Sequence, residues 1–81
     1  MTSSNVDRLA VVIAQVLNVE VGEVSDESSP QTIANWDSLN HLNLIMAIEH
    51  EFAISLDPED VLEMHEVSAI REILRLHSVS L

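Results

Sequence analysis

The chain has 81 residues, enough for one domain, and a fold of this size buries only about 60–65 % of the surface its unfolded chain exposes, which leaves a modest stability margin. Three arginines, no lysine and 14 carboxylates give a formal net charge of −11; this argues against nucleic acid or an anionic membrane surface as partner, since both recruit basic residues, and favours basic protein patches. The absence of cysteine excludes disulfides, thiolate metal ligands and a cysteine nucleophile, so any thiol chemistry must be brought by a cofactor.

Hydrophobic residues make up 47 % of the chain, yet Trp36 and Phe52 are its only aromatic residues. The core must therefore be built from Leu, Ile, Val and Met, as in a small helical bundle. Val6, Leu9, Ala10, Ile13, Val16 and Leu17 follow the spacing of one helix face and predict a first helix over about residues 4–18. The apolar run from Leu9 to Ala14 is far short of the roughly 20 residues that span a bilayer. The first residues lack the basic start and apolar stretch of a signal peptide, which makes a cytoplasmic protein the expectation.

Gly22, Pro30 and a cluster of Ser, Asp and Glu then break the periodicity, with Val21, Val24 and Ile33 spaced to pin a long loop to the bundle. A second helix is expected from about Ser38 to Ala53. Leu39, Leu42, Ile45, Met46, Ile48 and Phe52 occupy its packing side, Asn40, Asn43, Ala47, His50 and Glu51 its open side, and Leu44 the boundary. Asp57-Pro58-Glu59-Asp60 reads as the start of a short third helix, about 58–64, with Asp57 as N-cap. A last helix from about Val67 or Ser68 to His77 points Ile70, Ile73 and Leu74 inward, with Arg71 and Arg75 as an exposed i, i+4 pair. The expected fold is all-α: a four-helix bundle with a short third helix, a long first connection and a single domain over residues 1–81.

The most informative feature is Asp37-Ser38-Leu39, where the polar loop gives way to the second helix. A serine there has its hydroxyl at the positive end of the helix dipole, among unpaired N–H groups, where a phosphate ester is favoured. Taken alone, Asp37-Ser38 is most simply a helix cap. No strand, Gly-x-Ser-x-Gly elbow or glycine-rich oxyanion loop supports a hydrolase reading, although His41 stands one turn on. The four histidines show no metal-ligand spacing. Glu59, Asp60 and Glu63 are suited only to loose attraction of a divalent cation, and no metal site is expected.

The stretch from Trp36 to Phe52, WDSLNHLNLIMAIEHEF, resembles the acyl carrier protein family, in which Asp-Ser-Leu opens the second helix. The resemblance extends over nearly the whole chain, in helix order, loop, charge and length. It implies a carrier, not an enzyme. Ser38 would bear a covalent 4′-phosphopantetheine arm, transferred from coenzyme A by a phosphopantetheinyl transferase, and acyl groups would ride on the arm as thioesters. Asp37 would fix the entry of the chain, and Leu39 would anchor the serine from the interior.

Acyl-transferring and acyl-modifying enzymes would dock on the second helix of a monomer that binds neither nucleic acid nor membrane. By the same resemblance, the acyl chain could enter between helices, lined by Leu42, Met46, Ile48 and Val61. Trp36 is expected to pack the loop onto the second helix. Aminoacyl and peptidyl carriers usually have Gly-Gly-(His/Asp)-Ser; Asn35-Trp36-Asp37-Ser38 departs from that pattern and favours acyl cargo. Asn40, Asn43 and His50 stand where carriers of primary fatty acid synthesis tend to have carboxylates, which points to a specialised pathway. A purely structural acidic helical module is the alternative of a different class.

Overall fold

A computed structural model describes residues 7–79. Four helices appear in the expected order: α1 Arg8–Leu17, α2 Ser38–Phe52, α3 Pro58–Glu63 and α4 Val67–Leu76, with one 3-10 turn at Val21–Glu23 in the long first connection. α1 starts later than its apolar periodicity suggests, because Asp7 is its N-cap and accepts from the Ala10 N–H at 3.2 Å. Val6 lies outside the described residues. α1 and α2 end alike, on a left-handed residue, Asn18 and Ala53, whose conformation stops the helix.

The core is aliphatic. Leu9, Ile13 and Leu17 of α1, Leu44 and Ile48 of α2, and Val67, Ile70 and Leu74 of α4 are fully buried, joined by Met64 and by Trp36 from the loop. The inward face expected for α4 is therefore present. That of α2 is not: Leu44 lies at the centre of the core, whereas Leu39, Leu42 and Met46 face solvent. α2 is turned by roughly a quarter-turn from the orientation its apolar residues suggest. It carries more aliphatic side chains than one packing face can take, and the bundle seats the set that includes Leu44, Ile45 and Ile48 with Ala47 and Phe52 packed beside it.

The loop is held by different residues from those expected. Ile33 is buried and Val24 half-buried, but Val21 is exposed and Val19 packs on the core instead. Ser28 is buried, with its hydroxyl accepting from the Ser25 N–H at 2.9 Å. The carbonyls of Ser28 and Asp26 in turn accept from the Val67 and Ser68 N–H groups, each at 3.0 Å. The first turn of α4 is thus capped by a distant loop, not by its own N-cap residue Glu66, whose side chain makes no capping bond.

Arg71 is a hub rather than half of an exposed pair. Its guanidinium donates through Nη1 to Asp7 Oδ1 at 3.1 Å, through Nη2 to Asp7 Oδ2, and through Nε to Asp26 Oδ1 at 2.8 Å. The Arg71 hydrogen bond holds the Asp7 carboxyl below its ordinary range, outweighing partial burial. Arg75 is exposed and pairs with Glu72. α3 is closed by a reciprocal capping box between Asp57 and Asp60, and Asp60 Oδ2 lies 2.9 Å from His77 Nε2, which ties α3 to the end of α4. The His77 contact, with the Asp57 N–H second, holds the Asp60 carboxyl below its usual range.

With a net charge of −11, mutual repulsion weakens the compact state, and salt shortens its reach to about 8 Å at physiological strength. The melting temperature should rise as NaCl is added. Among the described residues no group of three or more His, Cys, Asp or Glu could hold a metal ion. Millimolar magnesium or calcium should raise the melting temperature further, through loose, delocalised attraction to acids such as Glu59, Asp60 and Glu63, which calorimetric melts at matched ionic strength will read. A flat response to NaCl would mean that the charges are already well separated.

Candidate functional site at the start of the second helix

The segment leading into α2 is fixed from both sides. Asn35 donates from Nδ2 to the Leu17 carbonyl at 2.9 Å, satisfying an acceptor at the end of α1, and its own carbonyl accepts from Asn40 Nδ2 at 2.7 Å. Between these anchors Trp36 is 2 % exposed. Its indole N–H needs an acceptor when buried and finds His41 Nδ1 at 3.0 Å, the two rings lying nearly parallel with centroids 6.3 Å apart. Trp36 packs the loop onto α2, as expected. The structural use of His41 was not legible in the sequence: the i, i+5 spacing across a helix start is no recognised motif.

Asp37 is the N-cap of α2, with Oδ1 accepting from the Asn40 N–H at 2.9 Å. Ser38 follows as the first helical residue and is exposed. Among the described residues no hydrogen bond engages its hydroxyl, and the N–H groups of Ser38 and Leu39 have no partner there either. Leu39 does not anchor the serine from within: it is 68 % exposed. The anchoring falls to Trp36 and to the asparagines on either side.

Beside Ser38 lies an open groove of about 570 Å³ between the start of α2 and α3. Trp36, His41, Leu42, Val61, Leu62 and Met64 are among the residues that line it. Of the four residues expected to shelter an apolar chain, Leu42 and Val61 are in place, Ile48 is sealed in the core and Met46 lies outside on the α2 surface. A separate recess of about 400 Å³ within the loop, with Glu23, Glu27 and Thr32 in its lining, does not include Ser38.

This arrangement fits a phosphate ester. An exposed hydroxyl sits at a helix N-terminus with two unpaired N–H groups, on backbone held rigid by Asn35 and Trp36, next to room for a substituent. It does not fit a hydrolase: among the described residues no hydrogen bond joins Ser38 to either imidazole of the groove, His41 or His65, and His41 already accepts from Trp36 through Nδ1. The family model described as "Phosphopantetheine attachment site" matches residues 7–74, which is most of the chain and takes in all four helices up to Leu74. The chain therefore belongs to the acyl carrier protein family: it is a carrier that uses a covalent 4′-phosphopantetheine and is not itself an enzyme.

Proposed function

We propose that Ser38 is the point of attachment and that the chain is a single carrier domain, delivering acyl groups to the enzymes of a specialised fatty acid, polyketide or related pathway. The observation that carries this reading is the exposed Ser38 hydroxyl at the first position of α2, backed by an Asp37 cap and bordered by an apolar groove. When bound, the arm supplies the thiol that this cysteine-free chain lacks. The protein holds the phosphodiester at the helix end, keeps the backbone there from moving, and gives an apolar cargo a partly sheltered place beside Leu42, Val61 and Met64.

A phosphopantetheinyl transferase is the partner that installs the arm, and acyl-transferring and acyl-modifying enzymes are those that use it. No helix is long and apolar enough to cross a membrane among the described residues; a cytoplasmic setting is part of the proposal. Incubation with coenzyme A and a broad-specificity transferase tests the attachment: intact mass should show a single arm, and fragmentation should place it on Ser38.

The choice of pathway rests on the rim of α2. Asn40, Asn43 and His50 are uncharged or weakly basic there, and the two asparagines are joined, Asn43 Nδ2 donating to Asn40 Oδ1 at 3.2 Å. Each missing rim carboxylate changes encounter with a basic partner by a few tenths to about 1 kcal/mol, so three together separate partners by about an order of magnitude. Turnover of the loaded protein by a general fatty acid synthase ketosynthase should be poor, and should recover in the combined variant Asn40→Asp, Asn43→Glu, His50→Glu. If the unaltered carrier already matches a primary one, the specialised-pathway reading is wrong.

A further inference from the structure

His41 stands three residues after Ser38, one turn along α2. Long side chains on a helix point back over the turn that precedes them, so the imidazole is directed toward the turn that Ser38 opens. Both residues line the groove. One ring nitrogen is already assigned. The Trp36 indole N–H can only donate, and its 3.0 Å contact with His41 Nδ1 therefore requires that nitrogen to be without a proton. A neutral imidazole then carries its proton on Nε2.

That proton is not used within the fold. Among the described residues the bond from Trp36 is the one hydrogen bond that the His41 side chain makes. No buried side-chain nitrogen or oxygen lacks a partner among them, so the unpartnered Nε2 is reached by solvent, as the half-burial of the residue allows. The result is an N–H donor open to water on a ring whose other nitrogen is tied to an indole only 2 % exposed. Its direction is set before any ligand arrives, which lowers the ordering cost of binding.

The groove offers an anion little else beyond the helix end. No lysine or arginine is in its lining, where the other ionisable side chains are Asp37 and His65. Asp37 is negative and engaged by the Asn40 N–H. His65, just past α3, has a side chain 64 % exposed, with Nδ1 at 3.9 Å from Glu66 Oε1. It is a solvated ring drawn to a carboxylate, whereas His41 shares a helix with Ser38 and is held in place.

We propose that His41 is a further cofactor-binding residue: its Nε2–H donates to a non-bridging oxygen of the phosphodiester carried by Ser38, beside the unpaired Ser38 and Leu39 N–H groups. Trp36 is the positioning residue that keeps the proton on Nε2. This rests on Ser38 as the attachment point. The non-bridging oxygens of a phosphodiester accept several such bonds at once, and a bond to an ionised acceptor is stronger than one between neutral groups.

The test uses the chain with 15N-labelled histidine, loaded from coenzyme A by a broad-specificity transferase, the arm being located first by intact mass and fragmentation. At about pH 8, where free histidine is neutral, long-range 1H–15N correlation of the unloaded protein should show His41 protonated on Nε2 and bare on Nδ1. Loading should shift the His41 Nε2 resonance and leave His50 unchanged. In loaded His41→Phe the 31P resonance should move toward its position in the urea-unfolded loaded chain. His41→Gln, which keeps an acceptor for Trp36 and an N–H donor, should restore it. Trp36→Phe should leave His41 as a mixture of tautomers with a smaller shift on loading.

With the arm on Ser38, an unmoved His41 Nε2 overturns the proposal and leaves the Ser38 reading intact. So does a shift confined to His65, or a Nδ1-protonated His41 in the unloaded protein. An arm that is absent or attached elsewhere is seen by mass alone, and removes the Ser38 reading and this proposal together. The wild-type spectra decide the matter even if His41→Phe fails to fold.

Discussion

Ser38→Ala should accept no phosphopantetheine and should keep its fold. Every interaction that shapes the start of α2 belongs to a neighbour: Asp37 caps the Asn40 N–H, Asn35 and Asn40 bond across the entry, and Trp36 is locked to His41. The serine contributes an exposed side chain at the first helical position, where an alanine is an equally good helix former and surface changes stay within about 0.5 kcal/mol. Intact mass after treatment with coenzyme A and a transferase should show the unmodified chain, while circular dichroism and the melting curve overlay those of wild type. The other described serines lie in the loop, between α2 and α3, in the first turn of α4 or just beyond it, none of them on an Asp-Ser-Leu helix start. Loading that persists in the variant would end the assignment to Ser38. Asp37→Ala is the complementary case, expected to lose about 1 kcal/mol with its cap and still be modified, more slowly.

Arg71→Met should produce a large loss of stability for a side chain outside the aliphatic core. Its guanidinium gathers the α1 cap Asp7 and the loop residue Asp26 onto α4, and its side chain is only 17 % exposed. Hydrogen bonds to charged partners are worth about 1.5–3 kcal/mol. Asp26 is well exposed and screened, so its share is small, and a net cost of about 2 kcal/mol is expected. In a domain of this size that lowers the melting temperature by about 8–16 °C.

The loss should also depend on pH in a definite sense. Asp7 has its folded pKa depressed below the ordinary value of 3.8 by Arg71. Its contribution is therefore complete above that value and disappears as pH falls through the lower, folded one. The gap between wild type and Arg71→Met should hold from neutrality to about pH 5 and close below about pH 4. A gap of equal size at all these values would mean that Arg71 acts through packing of its aliphatic stem. Methionine retains most of that stem, which makes the variant a test of the charge.

Residues whose role depends on local spacing were legible from sequence. Asp57, proline and two acids announce α3, and the capping box is there. The i, i+3, i+4 pattern of Ile70, Ile73 and Leu74 names the buried face of α4. Asp37-Ser38 marks the start of α2 to the residue. Failures occurred where several local solutions were equally good. α2 carries enough aliphatic residues to bury more than one face, so periodicity could not choose Leu44 over Leu39. Arg71 at i, i+4 from Arg75 looks like a solvent residue until Asp7 and Asp26 are brought to it from far along the chain.

By itself, then, the sequence determined the class of fold, the order of helices and the position of Ser38 at a helix N-terminus, because all of these follow from contacts within a few residues. Its lack of cysteine also determined that a thiol must come from a cofactor. Only the tertiary structure decided the rotation of α2, and with it which aliphatic residues line the groove and which face solvent. It alone brought the Ser28 and Asp26 carbonyls to the unpaired N–H groups of α4, and His41 to the buried indole of Trp36. The physical reason is common to these cases. A buried donor or an excess of apolar surface states what must be satisfied, whereas the partner that satisfies it is set by the packing of segments distant in the chain.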